Sequence, residues 1–188
     1  MNKPRRFELL EAIAPMLKDE LVISNIGFPS QEWYSLGDYS TNFYMLGSMG
    51  LSSSIGLGVS LTTDKKVVSI DGDGSVLMNL GTLVTIANQA PANFILLIVD
   101  NGAYGSTGDQ PTYTAGITSL AQMARGAGMQ NVHEVEGLAV KEKLAECLAT
   151  DGPHLIVAKA VPGSPKKSAI PLSAVFIRDR FKAEVMSR

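Results

Sequence analysis

Two apolar runs that end abruptly in polar, glycine-bearing tips constrain this chain more than anything else in it. Lys66-Val67-Val68-Ser69-Ile70 stops at Asp71-Gly72-Asp73-Gly74-Ser75, and Phe94-Ile95-Leu96-Leu97-Ile98-Val99 stops at Asp100-Asn101-Gly102. Short β-branched and aliphatic runs closed by turn residues read as buried strands. A segment of helical character, Leu77 to Asn88, separates them, so the unit reads strand, helix, strand. Strands joined in this way lie parallel. Ligands of open α/β sheets bind beyond the carboxyl ends of strands, where both polar tips fall.

The residues in those tips suit a divalent cation held against phosphate. Gly72 and Gly74 remove side-chain bulk and permit positive φ, so the backbone can pass close to an anion and point its N–H groups at it. Asp73 supplies an anionic oxygen and Asn101 a neutral one. Mg²⁺ takes a near-octahedral shell of oxygens at ~2.0–2.1 Å, drawn from a few protein groups plus phosphate and water. Ser75 stands at the expected start of a helix, where its hydroxyl or N–H can meet a phosphate oxygen.

Gly72-Asp73-Gly74, with Asn101 about thirty residues later, resembles the signature of thiamine diphosphate enzymes. The family closes its motif with Asn-Asn, whereas this chain has Asp100-Asn101. The resemblance therefore carries Asn101 over as a cation ligand and leaves Asp100 aside. It also implies that the carbonyl of Ala103 completes the protein's share of a Mg²⁺ shell with Asp73 and Asn101. Upstream, Leu46-Gly47-Ser48-Met49-Gly50 matches the element that grips the cofactor's aminopyrimidine. The carbonyl of Gly47 is expected on its amino group and Met49 as the apolar wedge under the bent cofactor. An unbranched, polarizable thioether suits that place, although methionine also fills ordinary cores.

The loop after Asn101, Tyr104-Gly105-Ser106-Thr107-Gly108-Asp109-Gln110-Pro111-Thr112, is similar to that of half-enzymes that decarboxylate 3-sulfopyruvate, specifically their β subunits, and more distantly to phosphonopyruvate decarboxylases. Tyr104 is expected beside the cofactor, with Thr107 and Gln110 as substrate-loop candidates. The fold implied is an α/β three-layer sandwich with a mainly parallel sheet, forming a single diphosphate-binding domain over residues 1–188. The chemistry implied is non-oxidative decarboxylation of a 2-oxo acid, a step towards coenzyme M if the substrate is sulfopyruvate. Family members activate the cofactor with a glutamate from a facing pyrimidine-binding domain. A chain of this length that spends its sheet on diphosphate binding is expected to obtain that glutamate from a separate α subunit. Glu8, Glu11 and Glu32 precede the motifs without marking themselves as that group. The alternatives are a phosphonopyruvate decarboxylase-like subunit, a 2-oxoacid:ferredoxin oxidoreductase β subunit, a carboligase such as acetolactate synthase, which length disfavours, and a non-catalytic module that keeps the fold, for which Asp100 is the one hint.

Composition fits a compact enzyme domain and excludes other classes. The 188 residues are 45% hydrophobic and 18% charged, with a formal net charge of −2. That length supports a sizeable core. No basic block interleaves with aromatics, which argues against nucleic acid as a partner. No apolar run approaches the ~20 residues of a membrane span, and Met1 to Arg6 lacks the apolar core of a secretory signal, so a cytoplasmic location is expected. Gly56-Leu57-Gly58 fails as a dinucleotide fingerprint because Leu61 takes the third glycine's place and the segment precedes its strand. His133 and His154 lie far apart in sequence with no metal-spaced partner and read as structural, while the single cysteine, Cys147, reads as a buried packing residue.

Further elements follow from periodicity. Helices are expected near Arg5–Leu17, Gln31–Ser35, Leu51–Leu61, Ser119–Gly126, Ala139–Ala149 and Ser173–Val185. Strands are expected at Leu21–Ser24, Val67–Ile70, Phe94–Val99, Asn131–Val135 and His154–Lys159.

Overall fold

The structure, a computed structural model, describes residues 3–187; Met1, Asn2 and Arg188 lie outside it. Its strands are β1 (Leu21–Ser24), β2 (Asn42–Tyr44), β3 (Val67–Gly72), β4 (Phe94–Asp100), β5 (Ala103–Tyr104), β6 (Gln110–Pro111), β7 (Asn131–Glu136) and β8 (His154–Lys159). Its α-helices are α1 (Arg6–Ile13), α2 (Phe28–Ser35), α3 (Ser52–Ser60), α4 (Asp73–Leu77), α5 (Gly81–Gln89), α6 (Leu120–Gly126), α7 (Val140–Leu148) and α8 (Ala174–Met186).

Six strands form one sheet in the order β2-β1-β3-β4-β8-β7, and every neighbouring pair is parallel. Side chains alternate across it as the strand period requires. Phe94, Leu96 and Ile98 point to one face, with Leu57 of α3, Leu83 and Ile86 of α5, and Leu120 of α6. Ile95, Leu97 and Val99 point to the other, with Leu9 and Leu10 of α1, Trp33 of α2, and Leu144 of α7. The result is the three-layer sandwich expected from the sequence. No helix among the described residues is long and apolar enough to cross a membrane.

Topology places the site. The connection after β1 leaves through α2 on one face, whereas that after β3 leaves through α4 and α5 on the other. Chain paths that diverge in this way open a crevice between the carboxyl ends of β1 and β3, the switch point where α/β sheets bind ligands.

Several local expectations are corrected. Asp71 and Gly72 belong to β3, and Asp73 opens α4, so no loop of Asp71–Ser75 intervenes. Gly72 has φ −106°, and Gly74 also avoids positive φ; neither glycine is needed for a left-handed turn. Gly74 is needed for space, because a Cβ there would stand 2.3 Å from Cε1 of Tyr104. The helix expected over Leu77–Asn88 is two helices, broken between Leu77 and Gly81. The first helix ends its regular α-turns at Ile13 and tightens to a 3₁₀ turn over Ala14–Met16, since Pro15 cannot donate to the helical ladder. Helix α2 begins at Phe28 rather than near Gln31. Strand β2 and the small β5–β6 hairpin carry too few residues to show a period. His133 and His154, distant in sequence, are brought to adjacent strands, their rings 5.9 Å apart.

Candidate functional site

A cavity of about 120 Å³ lies at the switch point, walled in part by Asn25, Gly27, Met49, Gly72, Asp73, Gly74, Ser75, Asn101, Ala103, Tyr104 and Thr107. Three strand ends supply it: β1 gives Asn25 to Gly27, β3 and α4 give Gly72 to Ser75, and β4 gives Asn101. Asp73 is 2% exposed and Asn101 6%. Positive φ is required at Gly102, where the chain turns at +67° after Asn101. That turn lets Asn101 Oδ1 accept from the N–H of Ala103 at 3.1 Å, and both residues line the same cavity.

The carboxylates are held by a polar net. Asp73 Oδ2 accepts from the hydroxyls of Thr112 and, at 3.0 Å, Thr114. Thr114 also stands 2.7 Å from Asp100 Oδ1, and Lys159 Nζ donates to Asp100 Oδ2 at 2.6 Å. Asp100 thus pairs with the residue opposite it in register on β8, and its negative charge is matched by a lysine. Burial alone would lower the Lys159 pKa, but the Asp100 carboxylate more than offsets this and holds it above the ordinary lysine value. Burial pushes Asp73 above the ordinary carboxylate value, and Asp100 nearby adds to the rise against the two threonine hydroxyls. Asp71, fully buried, is pushed up to about 7 by burial. Its Oδ1 accepts from Gly72 N–H at 2.9 Å, and its Oδ2 has no partner.

The remaining site candidates divide. Met49 is half-buried and lines the cavity, so it is not a core residue. Ser75 lines it too, with its Oγ accepting from Gly50 N–H at 2.9 Å, which ties the Met49 segment to α4. Tyr104 packs its ring on Gly74, and its carbonyl accepts from Thr107 and Asp109 N–H at 3.2 and 3.1 Å. Gly47 is exposed and faces a separate shallow groove with Phe43, Leu46 and Ala174 rather than this cavity. Gln110 is exposed and bonded to Thr107, its Oε1 accepting from Thr107 Oγ1 at 3.0 Å and its Nε2 donating to the Thr107 carbonyl at 2.9 Å. Thr107 lines the cavity, whereas Thr112 and Thr114, further along the loop, reach Asp73.

Sequence reasoning also missed Asn25, Gly27 and Arg6. Asn25-Ile26-Gly27 follows an apolar strand just as Gly72-Asp73 does, a signal that was present. Arg6 could not be found locally: it comes from α1, and its Nε and Nη2 donate to Glu32 at 2.7 and 3.0 Å in a buried pair. Glu32, fully buried against Arg6, is thereby committed within this chain.

The donors around Asp73 are all oxygens and sit on one wall, the set that Mg²⁺ demands. The neighbouring Gly72 carries no side chain that would fill the adjoining space, which suits a diphosphate.

Comparison with known proteins agrees with this geometry. The family of the thiamine pyrophosphate enzyme C-terminal TPP-binding domain matches residues 29–158. Sulfopyruvate decarboxylase subunit beta of Methanocaldococcus jannaschii is 44% identical over 179 residues, 95% of each chain. Phosphonopyruvate decarboxylase of Streptomyces viridochromogenes is 43% identical over 86% of this chain, which spans only 41% of that longer protein. Among solved structures, a thiamine diphosphate-dependent 4-hydroxybenzoylformate decarboxylase of Rhodococcus jostii superposes with a TM-score of 0.74 at 20% identity, covering 88% of this chain and 34% of that one. That likeness is one of fold, and the chain spans about a third of the larger enzyme. By its matched domain and its identity along nearly the whole length, the chain belongs to the thiamine diphosphate enzyme family, among the sulfopyruvate decarboxylase β subunits.

Proposed function

We propose that this chain is the diphosphate- and Mg²⁺-binding subunit of a thiamine diphosphate-dependent 2-oxo acid decarboxylase. In this reading it converts 3-sulfopyruvate to sulfoacetaldehyde and CO₂, in the cytoplasm, together with a separate pyrimidine-binding α subunit. The observation that carries the proposal is the convergence of Asp73, Asn101 and Ala103, whose carbonyl we assign as a ligand, on one cavity at the sheet's switch point. Asp73 supplies the charge, and the two neutral oxygens complete the protein's share of the cation shell. Gly72 leaves room for the diphosphate, and backbone N–H groups at the start of α4 and the Ser75 hydroxyl, whose oxygen already accepts from Gly50 N–H, would donate to its oxygens. When bound, thiamine diphosphate supplies a carbon nucleophile and an electron sink for breaking the bond to the substrate carboxylate. Met49 supports it from the cavity wall. Thr112 and Thr114 hold Asp73 in place, and Lys159 neutralises Asp100, so Asn101 is the carboxamide left to face the cation.

Cavity size supports a second subunit. Sites that enclose a whole cofactor usually measure ~300–1,000 Å³; about 120 Å³ suits the diphosphate end only. The name of the M. jannaschii relative, a subunit, points the same way. A phosphonopyruvate substrate is the second reading, favoured by the Streptomyces relative. Turnover of 3-sulfopyruvate, phosphonopyruvate and pyruvate by the reconstituted pair tests the proposal. Sulfopyruvate should give the highest kcat/KM, and a preference for phosphonopyruvate would replace this substrate with the second reading.

A further inference from the structure

Far from the cavity, α7, β7 and β8 bring together three side chains that the decarboxylase reading leaves unused. His133 lies on β7, His154 opens β8, and Cys147 lies on the inner face of α7. One ligand atom from each falls within 4.8 Å of the other two. Cys147 is 1% exposed and His154 5%. His133 Nε2 and His154 Nδ1 are buried without a hydrogen-bond partner. His154 uses its other nitrogen, Nε2, on Thr150 Oγ1 at 3.1 Å, which fixes the ring and leaves Nδ1 free.

We propose that His133, Cys147 and His154 form a binding site for a borderline-soft divalent metal of the zinc class, with two imidazole nitrogens and one thiolate as ligands and a fourth position for water. Buried polar nitrogens ordinarily find partners, and one cation would satisfy both at once. Imidazole nitrogen and thiolate sulfur are donors that zinc takes, and they are unlike the oxygen set around Asp73. Tetrahedral zinc has Zn–N of ~2.0–2.1 Å and Zn–S of ~2.3 Å, which puts neighbouring ligand atoms roughly 3.3–3.6 Å apart. The cluster must therefore close by up to about 1.5 Å, within reach of side-chain rotations. Binding forms one S–metal and two N–metal bonds; the Cys147 thiol proton passes to solvent, and both imidazoles bind neutral. Thr150 behind His154 is the kind of supporting contact that orients a metal-bound histidine.

The place would let the metal also brace the fold. Strand β7 is the sheet's edge, and the metal would clamp it and α7 to β8. Lys159, which pairs with Asp100 in the cofactor wall, lies five residues along β8 from His154, about 17 Å at strand rise. The two metal sites are thus separate.

The test uses the full-length, tag-free chain, stripped with a chelator and titrated with Co²⁺. One Co²⁺ per chain should give intense visible d–d bands of a tetrahedral ion and a near-ultraviolet thiolate-to-cobalt charge-transfer band. One equivalent of Zn²⁺ should remove both, and excess Mg²⁺ should leave both unchanged. Cys147→Ser, if folded by circular dichroism, should lose the charge-transfer band. His133→Gln, at a half-exposed position on the edge strand, should bind Co²⁺ at least ~10-fold more weakly. The absence of a charge-transfer band in the wild-type chain, its survival in folded Cys147→Ser, or unchanged Co²⁺ affinity in His133→Gln would each overturn the proposal.

Discussion

Gly74→Ala should destabilise the chain only while Tyr104 is present. A Cβ at Gly74 would stand 2.3, 2.8 and 3.0 Å from Cε1, Cδ1 and Cζ of the Tyr104 ring. Carbon atoms rest ~3.5–4.0 Å apart, so the ring must retreat by more than about 1 Å, out of its contact with α4 and the cavity wall. Overpacking of this kind costs about 1–3 kcal/mol. In a Tyr104→Ala background the obstacle is gone. Gly74 lies within α4 at negative φ, where alanine is favoured over glycine by about 0.5–1 kcal/mol. The same substitution should therefore change sign between backgrounds, with a coupling of roughly 2–3 kcal/mol, far above the ~0.3–0.5 kcal/mol scatter of independent sites. Urea denaturation of Gly74→Ala, Tyr104→Ala and the double variant measures it. Equal destabilisation by Gly74→Ala in both backgrounds would refute the steric reason for this glycine.

Other consequences are as direct. Asp73→Ala should abolish Mg²⁺-dependent thiamine diphosphate binding in calorimetric titration of the reconstituted pair, because the remaining neutral oxygens cannot offset the cation's dehydration; unchanged affinity would remove Asp73 from the site. Arg6→Met leaves Glu32 buried and unpaired and should cost about 3–5 kcal/mol in unfolding free energy, whereas a loss below ~1 kcal/mol would show that the pair is not the clamp between α1 and α2. Asp38 bonds Arg180 at 2.6 and 2.8 Å and accepts from the Tyr44 hydroxyl at 2.9 Å. Burial raises its pKa, but those partners outweigh it and hold the carboxyl below 3.8. A depressed carboxylate stabilises the fold above its unfolded pKa and loses that contribution as pH falls through its folded value. Asp38→Asn should thus lower stability by about 1 kcal/mol at pH 7, with a gap that closes as pH drops below about 4; a gap independent of pH would contradict the assignment.

Much of the sheet was legible because its strands are buried on both faces and so read as continuous apolar runs. Phe94–Val99 and His154–Lys159 could be bounded within a residue from their edges alone. Helices at surface caps were equally plain, with Ser119 and Ser173 accepting from the N–H three residues on. What failed depends on distant partners. Gly74 looks like a turn glycine until Tyr104 is seen against it. Asp100 looks like a departure from its family until Lys159, 59 residues away, is found opposite it in register. Thr112 and Thr114 share a loop with Thr107 and Gln110, and only the path of the β5–β6 hairpin decides which of them reach Asp73. The His133–Cys147–His154 cluster is assembled by sheet order, which spacing along the chain does not encode.

The central claim is that this chain holds one end of the cofactor and needs another subunit for activity. The most direct measurement is CO₂ release from 3-sulfopyruvate with saturating thiamine diphosphate and Mg²⁺, by the purified chain alone, by a pyrimidine-binding α subunit alone, and by the two mixed. The account predicts turnover in the mixture only, rising with added partner to a fixed stoichiometry. Sustained turnover by the purified chain alone would contradict it.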